Sequence, residues 1–148
     1  MMRERLGVLL VVAAVWSGCG GRQSVEVPAG AGSPEQLGST LNVRVQGDSV
    51  RLTLHIMNVT SGPIALEFSS GQRYDFEVSE PGGRSVWRWS ADRSFMQMMS
   101  TDTLGPGESR QYTETWHGTA GDAEYVATGW LTSLNYPVEL RTVFRPGG

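Results

Sequence analysis

From Leu41 onward the apolar positions fall two apart. Leu41, Val43 and Val45 alternate with Asn42, Arg44 and Gln46, and Val50, Leu52, Leu54 and Ile56 alternate with Arg51, Thr53 and His55. Ile64, Leu66 and Phe68 alternate with Ala65 and Glu67, and Tyr74, Phe76 and Val78 with Asp75 and Glu77. A period of two puts every second side chain on one face, so each run predicts a half-buried β-strand. Gly47-Asp48, Ser61-Gly62-Pro63, Ser70-Gly71 and Pro81-Gly82-Gly83 separate the runs where turns are needed. Further strands are predicted over residues 110–116, 124–132 and 138–144, and no segment carries a helical period. Seven or eight short strands with regular turn spacing predict an antiparallel, immunoglobulin-like β-sandwich over residues 41–148.

Aromatic residues concentrate in the middle of this pattern. Residues 69–116 hold Ser70-Gly71-Gln72, Tyr74-Asp75-Phe76, Val86-Trp87-Arg88-Trp89-Ser90, Leu104-Gly105-Pro106-Gly107-Glu108 and Trp116. Trp87 and Trp89 are two apart, so strand geometry puts both on one face with Arg88 on the other. Tyr74 and Phe76 share a face in the same way, as do Tyr112 and Trp116. Rings of this kind facing each other between two sheets make a core, each burying on the order of 150–250 Å². The set therefore reads first as packing, and Gly71 and Gly107 as residues chosen for backbone geometry. Asp75 and Glu77 fall on the outward strand face, the usual solvated position for carboxylates.

These motifs resemble the family of the intracellular proteinase inhibitor BsuPI, whose members share an S-G-Q-x-Y-D-F, V-W-x-W-S and L-x-P-G-E pattern. Weaker similarity extends over residues 41–144. The resemblance implies the same sandwich fold, with Gly71, Gln72, Tyr74, Phe76, Trp87, Trp89, Gly107 and Trp116 as signature residues of structural character. It also implies an inhibitor of a subtilisin-like serine protease.

The first forty residues change the compartment in which such an activity would be exercised. Arg3 and Arg5 precede an apolar run over residues 6–16, followed by Ser17-Gly18-Cys19. That run is too short for a membrane-spanning helix, which takes about 20 residues, and reads as a secretory signal over residues 1–18. Cys19 is the single cysteine of the chain. It stands where a bacterial lipoprotein signal places its lipidated cysteine, although Trp16 replaces the usual leucine. Acyl chains on Cys19 would anchor the protein to a membrane of the cell envelope, the outer one in a two-membrane host, since no Asp follows Cys19. Cleavage nearby without lipidation is the alternative. Residues 19–40, rich in Gly, Ser and Pro, read as a flexible tether.

Composition narrows the function by exclusion. The chain has 148 residues, 39% hydrophobic and 18% charged, which suits one globular domain and a non-globular end. A formal charge of −3 argues against a nucleic-acid partner, which needs a basic face. The lone cysteine is assigned to the membrane, and neither His55 nor His117 belongs to a metal or nucleophile motif. No G-x-S-x-G or helical S-x-x-K is present, so the chain reads as a non-enzyme without cofactor or bound metal. What remains is binding. The longest inter-strand segment, residues 90–109, holds Phe95, Met96, Met98 and Met99, large apolar side chains of the kind a subtilisin-like cleft accepts. This loop is the candidate protease contact, while capping of the sandwich end by Phe95 and Met99 is the structural alternative. The partner would then be an extracytoplasmic serine protease, since an exported chain does not meet a cytoplasmic one. Two other readings stay open: an envelope protein-interaction module without inhibitory activity, and Cu(I) held by the three methionines with His117.

Overall fold

The computed structural model describes residues 34–118 and 122–147. The expected signal segment 1–18, Cys19 and the expected tether up to residue 33 lie outside the described residues. A short 3-10 helix, Pro34–Gln36, leads into nine strands among the described residues: β1 (Leu37–Gln46), β2 (Ser49–Asn58), β3 (Ile64–Phe68), β4 (Tyr74–Ser79), β5 (Ser85–Arg88), β6 (Ser100–Leu104), β7 (Ser109–His117), β8 (Tyr125–Leu131) and β9 (Val138–Phe144). Every pairing is antiparallel. One sheet runs β1-β2-β7, the other β5-β4-β8-β9, and β3-β6 form a two-stranded ribbon.

The period-two pattern explains the layers. Val50, Leu52, Leu54 and Ile56 of β2 are fully buried, and they meet Phe76 and Val78 of β4 and Ala127 and Leu131 of β8 in one core. Ile64, Leu66 and Phe68 of β3 and Leu104 of β6 complete it. Burying a Leu, Ile, Val or Phe side chain contributes about 1.5–3 kcal/mol each, so β2 is the strand the sandwich is built around. The ribbon is tied down by the segment after β8: Leu134 donates its N–H to the Glu67 carbonyl (2.8 Å), and the Asn135 amide bridges the Glu67 N–H and the Ala65 carbonyl. The fold is the predicted immunoglobulin-like β-sandwich, with nine strands among the described residues where seven or eight were expected.

Two strand boundaries differ from the sequence reading, for one physical reason. β1 begins at Leu37, so residues 37–40 belong to the sheet and not to the tether. Leu37 is 5% exposed, and residues 38–40 pair with Met57, Ile56 and His55. β6 lies inside the stretch read as one long loop, pairing residues 100–104 with β3. Gly-Ser-Thr and Ser-Thr-Asp-Thr carry almost no apolar signal, whereas a ladder is made by backbone N–H and C=O groups that composition does not reveal.

Candidate functional site

With β6 removed from it, the long inter-strand segment shrinks to residues 89–99, between β5 and β6. It starts in a tight turn, in which Ala91 N–H reaches the Arg88 carbonyl (3.2 Å) and Arg93 N–H the Ser90 carbonyl (3.1 Å). Residues 93–99 then carry no regular structure, yet they are held at several points.

The first hold is Asp75. Expected on a solvated outward face, it is 2% exposed, a correction to the sequence reading. Arg88 Nε donates to Oδ2 at 2.7 Å, Ser90 Oγ donates to the same oxygen at 2.7 Å, and the Ser90 N–H reaches Oδ1 at 3.2 Å. The Arg88 guanidinium also lies over the Trp130 ring, 4.9 Å from its centroid. Alternation rightly put Asp75 on the outer face, but that face is roofed by the neighbouring strand and the following turn. A buried carboxylate is tolerable only when charge-paired and hydrogen-bonded in this way. Glu77, on the same face, is half-buried and has Arg88 Nη1 at 3.6 Å.

A column of stacked rings makes the second hold. Tyr112 of β7 stacks on Tyr74 of β4 (centroids 4.6 Å), Tyr74 on Trp89 (4.4 Å), and Phe95 tilts against Trp89 at 5.6 Å. Phe76 meets Tyr74 edge-on at 5.6 Å. Arg93 lies 4.6 Å from the Trp89 ring centroid and donates from Nε to the Trp89 carbonyl. The Tyr74 hydroxyl donates to Glu114, which projects inward from β7 beside Tyr112 and Trp116. Burial and this acidic neighbour push the Tyr74 hydroxyl well above its ordinary pKa.

The Ser70-Gly71-Gln72 turn supplies the third. Gly71 N–H donates to the Met96 carbonyl at 2.8 Å, and the Gly71 Cα faces the Met96 backbone closely enough that a Cβ would sit 3.7 Å from its nitrogen. The turn is itself braced by Arg73, whose guanidinium clamps Asp102 of β6 (2.7 and 3.3 Å), reaches the Ser70 carbonyl and lies over Phe68. Gln72 donates to the Tyr74 carbonyl and accepts from Thr132 Oγ1 through its own carbonyl.

The result separates the four candidate contact residues. Phe95 is half-buried against Trp89, whereas Met96, Met98 and Met99 are 71%, 59% and 64% exposed. Three methionines presented to solvent on a pinned backbone do not fill gaps in a core, so capping of the sandwich end falls to Phe95 alone. Beside the loop a cleft of about 350 Å³ opens between β5 and β7, lined by Trp87, Arg88, Trp89, Asp92, Arg93, Glu114 and Thr115. Trp87 and Trp89 are both half-buried and pack on the core, although β5 ends at Arg88 and Trp89 starts the turn. Trp116 is buried at the far part of β7, edge-on to Tyr125. Gly107 is the third residue of the Gly105–Glu108 turn with φ +73°, away from the loop. His117 ends β7 opposite Ser49, so the copper set read from composition is divided between that strand end and the 89–99 loop. Among the described residues no group of three His, Cys, Asp or Glu could hold a metal ion.

Sequence reasoning missed Arg73, Asp102, Arg93 and Glu114. Arg73 and Arg88 occupy the unspecified positions of S-G-Q-x-Y-D-F and V-W-x-W-S, so the motifs point away from them. Their partners lie 29 and 13 residues off, and no sequence spacing signals such pairs.

Comparison with known proteins agrees with the fold. A family model described as BsuPI, intracellular proteinase inhibitor, matches residues 37–136. No curated protein matches the chain by sequence. Among solved structures, the penta-heme cytochrome c552 of Thermochromatium tepidum superposes with a TM-score of 0.50 at 7% identity, covering 75% of this chain and 40% of its own. The putative ApaA protein of Bordetella pertussis gives 0.44 at 16% identity, covering 73% and 89%. The chain thus spans less than half of the cytochrome's length, and the likeness is one of fold alone.

Proposed function

The chain belongs to the BsuPI family of intracellular proteinase inhibitors, and from that premise we propose that it inhibits a subtilisin-like serine protease outside the cytoplasm, through the 89–99 loop. The family is one of inhibitors, so the chain is a binding protein and not an enzyme. One observation carries the choice of loop: Met96, Met98 and Met99 stand exposed on a backbone pinned at Ser90, Phe95, Met96 and the start of β6. Tight inhibitors gain affinity by fixing the contact segment beforehand, so that little ordering cost remains on association. Large apolar side chains on such a segment suit the pockets of a cleft that binds extended chains.

The N-terminal signal and Cys19 support display at the cell envelope, on the outer membrane where the host has one. Incorporation of labelled palmitate that disappears in a Cys19→Ala variant tests the anchor. Inhibition is tested by titrating the detergent-purified full-length chain against subtilisin and secreted proteases of the host. Stoichiometric inhibition with the chain left intact is expected, and Phe95→Ala and Met99→Ala should weaken it. If both variants kept full inhibition and fold, the loop would be the wrong surface. Rapid digestion or indifference to every protease would favour an envelope interaction module, for which the edge strand β7 offers a ladder that is unpaired among the described residues.

A further inference from the structure

The three exposed thioethers sit where a chemical change would be felt at once. Met96, Met98 and Met99 lie within four residues, each more than half exposed, whereas Met57 on β2 is 36% exposed. Their backbone is not free to withdraw them. The Met96 carbonyl accepts from both Gly71 N–H (2.8 Å) and Met98 N–H (3.2 Å), the second bond closing a tight turn over Gln97. Phe95 on one side and β6 on the other fix the two ends. A side chain that becomes unsuitable for contact therefore stays presented.

We propose that Met96, Met98 and Met99 form an oxidation site that switches the inhibitory loop off. The oxidant class is a hydroperoxide, with hydrogen peroxide as the simplest member. The sulfur lone pair attacks one peroxide oxygen, the O–O bond breaks as the S–O bond forms, and the departing hydroxide takes the proton left on the sulfur-bound oxygen to leave as water. Sulfur loses two electrons and peroxide gains them. The product, methionine sulfoxide, is polar and chiral where the thioether was apolar and flexible. Burying it in an apolar protease pocket would leave an unpaired S=O dipole. Thiol-dependent sulfoxide reduction restores the thioether, so the switch is reversible. The envelope expected for this chain is where external oxidants arrive first. No core residue changes, because the ring column behind the loop holds no methionine.

This inference rests on the 89–99 loop being the inhibitory surface, and the test separates the two. The detergent-purified full-length chain is titrated against a protease it inhibits, before and after mild hydrogen peroxide, with sulfoxides located by peptide mass mapping and the fold followed by circular dichroism. A triple variant, M96L/M98L/M99L, is carried alongside. Expected are earlier oxygen uptake on the three loop methionines than on Met57, an unchanged fold, and inhibition weakened about tenfold or more. The leucine variant is compared only with its own untreated inhibition, whatever its strength, and that inhibition should be the same before and after peroxide. Oxidised loop methionines with inhibition unchanged would overturn the switch and leave the inhibitor reading standing. Equal loss in the leucine variant would overturn it too, by placing the sensitive group elsewhere. No inhibition before treatment would overturn both.

Discussion

Asp75 and Tyr74, neighbours in one motif, show how much a residue's role depends on partners the chain supplies far away. Asp75 holds three donors from Arg88 and Ser90 while 2% exposed. Asp75→Asn keeps the shape but removes the charge from those bonds, and hydrogen bonds to charged groups contribute about 1.5–3 kcal/mol. Its urea midpoint should fall accordingly, and inhibition should weaken because Ser90 lies in the proposed contact loop. Tyr74 gives a pH signature of known sign. Its hydroxyl is raised first by burial, then by its hydrogen bond to Glu114 and that group's charge. A pKa higher folded than unfolded contributes stability that is whole below the ordinary tyrosine value of about 10 and is lost as pH rises above it. The urea midpoint should therefore drop above roughly pH 10, and drop less in Tyr74→Phe. Tyr112, raised by burial and by Asp102, keeps the effect from vanishing. Period-two alternation revealed which face each residue takes. What covered the outer face was hidden, because the cover is an arginine thirteen residues on.

Elements show the same division between local pattern and distant partner. Turn chemistry was legible wherever a backbone conformation demands one residue type. In the Gly105–Glu108 turn, Pro106 takes the second position and Gly107 the third with φ +73°, while Glu108 Oε2 accepts from Gly105 N–H. The turn locks onto β2 through Gly107 N–H to the Asn58 carbonyl (2.9 Å), and the Asn58 amide, fully buried, reaches the Leu104 and Gly62 carbonyls. Gly107→Ala forces a side chain into left-handed backbone and should cost about 1–2 kcal/mol in urea unfolding. Gly71 differs, for its φ is not positive and an added Cβ meets Met96 at ordinary contact distance. Gly71→Ala should thus be neutral within about 0.5 kcal/mol and keep inhibition. Gly71→Pro deletes the N–H that holds the Met96 carbonyl and should weaken inhibition, with stability falling by about 1 kcal/mol. The candidate loop was found in sequence by its methionines, but its true ends were not. β6 has only Leu104 buried and no hydrophobic alternation to betray it.

At the scale of the whole molecule, the family match stops at residue 136, short of the last strand. β9 pairs with β8 along its full length, from Tyr125 opposite Phe144 to Leu131 opposite Val138. Val138, Leu140 and Phe144 pack against the core, Phe144 stacking on Tyr125 at 5.8 Å and meeting Trp116 edge-on. A chain ending at residue 136 would bare the β8 edge and the apolar side of Tyr125 together, an invitation to edge-to-edge association. Such a truncation should lose its cooperative urea transition and precipitate, taking inhibition with it. The loop variants of Met96, Met98 and Met99 should do the reverse, losing affinity with the unfolding curve unchanged. Measuring both curves side by side separates the two ways this protein can fail, since one set of residues builds the sandwich and the other only stands on it. A cooperative, soluble chain ending at residue 136 would mean instead that β9 is dispensable and that the strands before it hold the core by themselves.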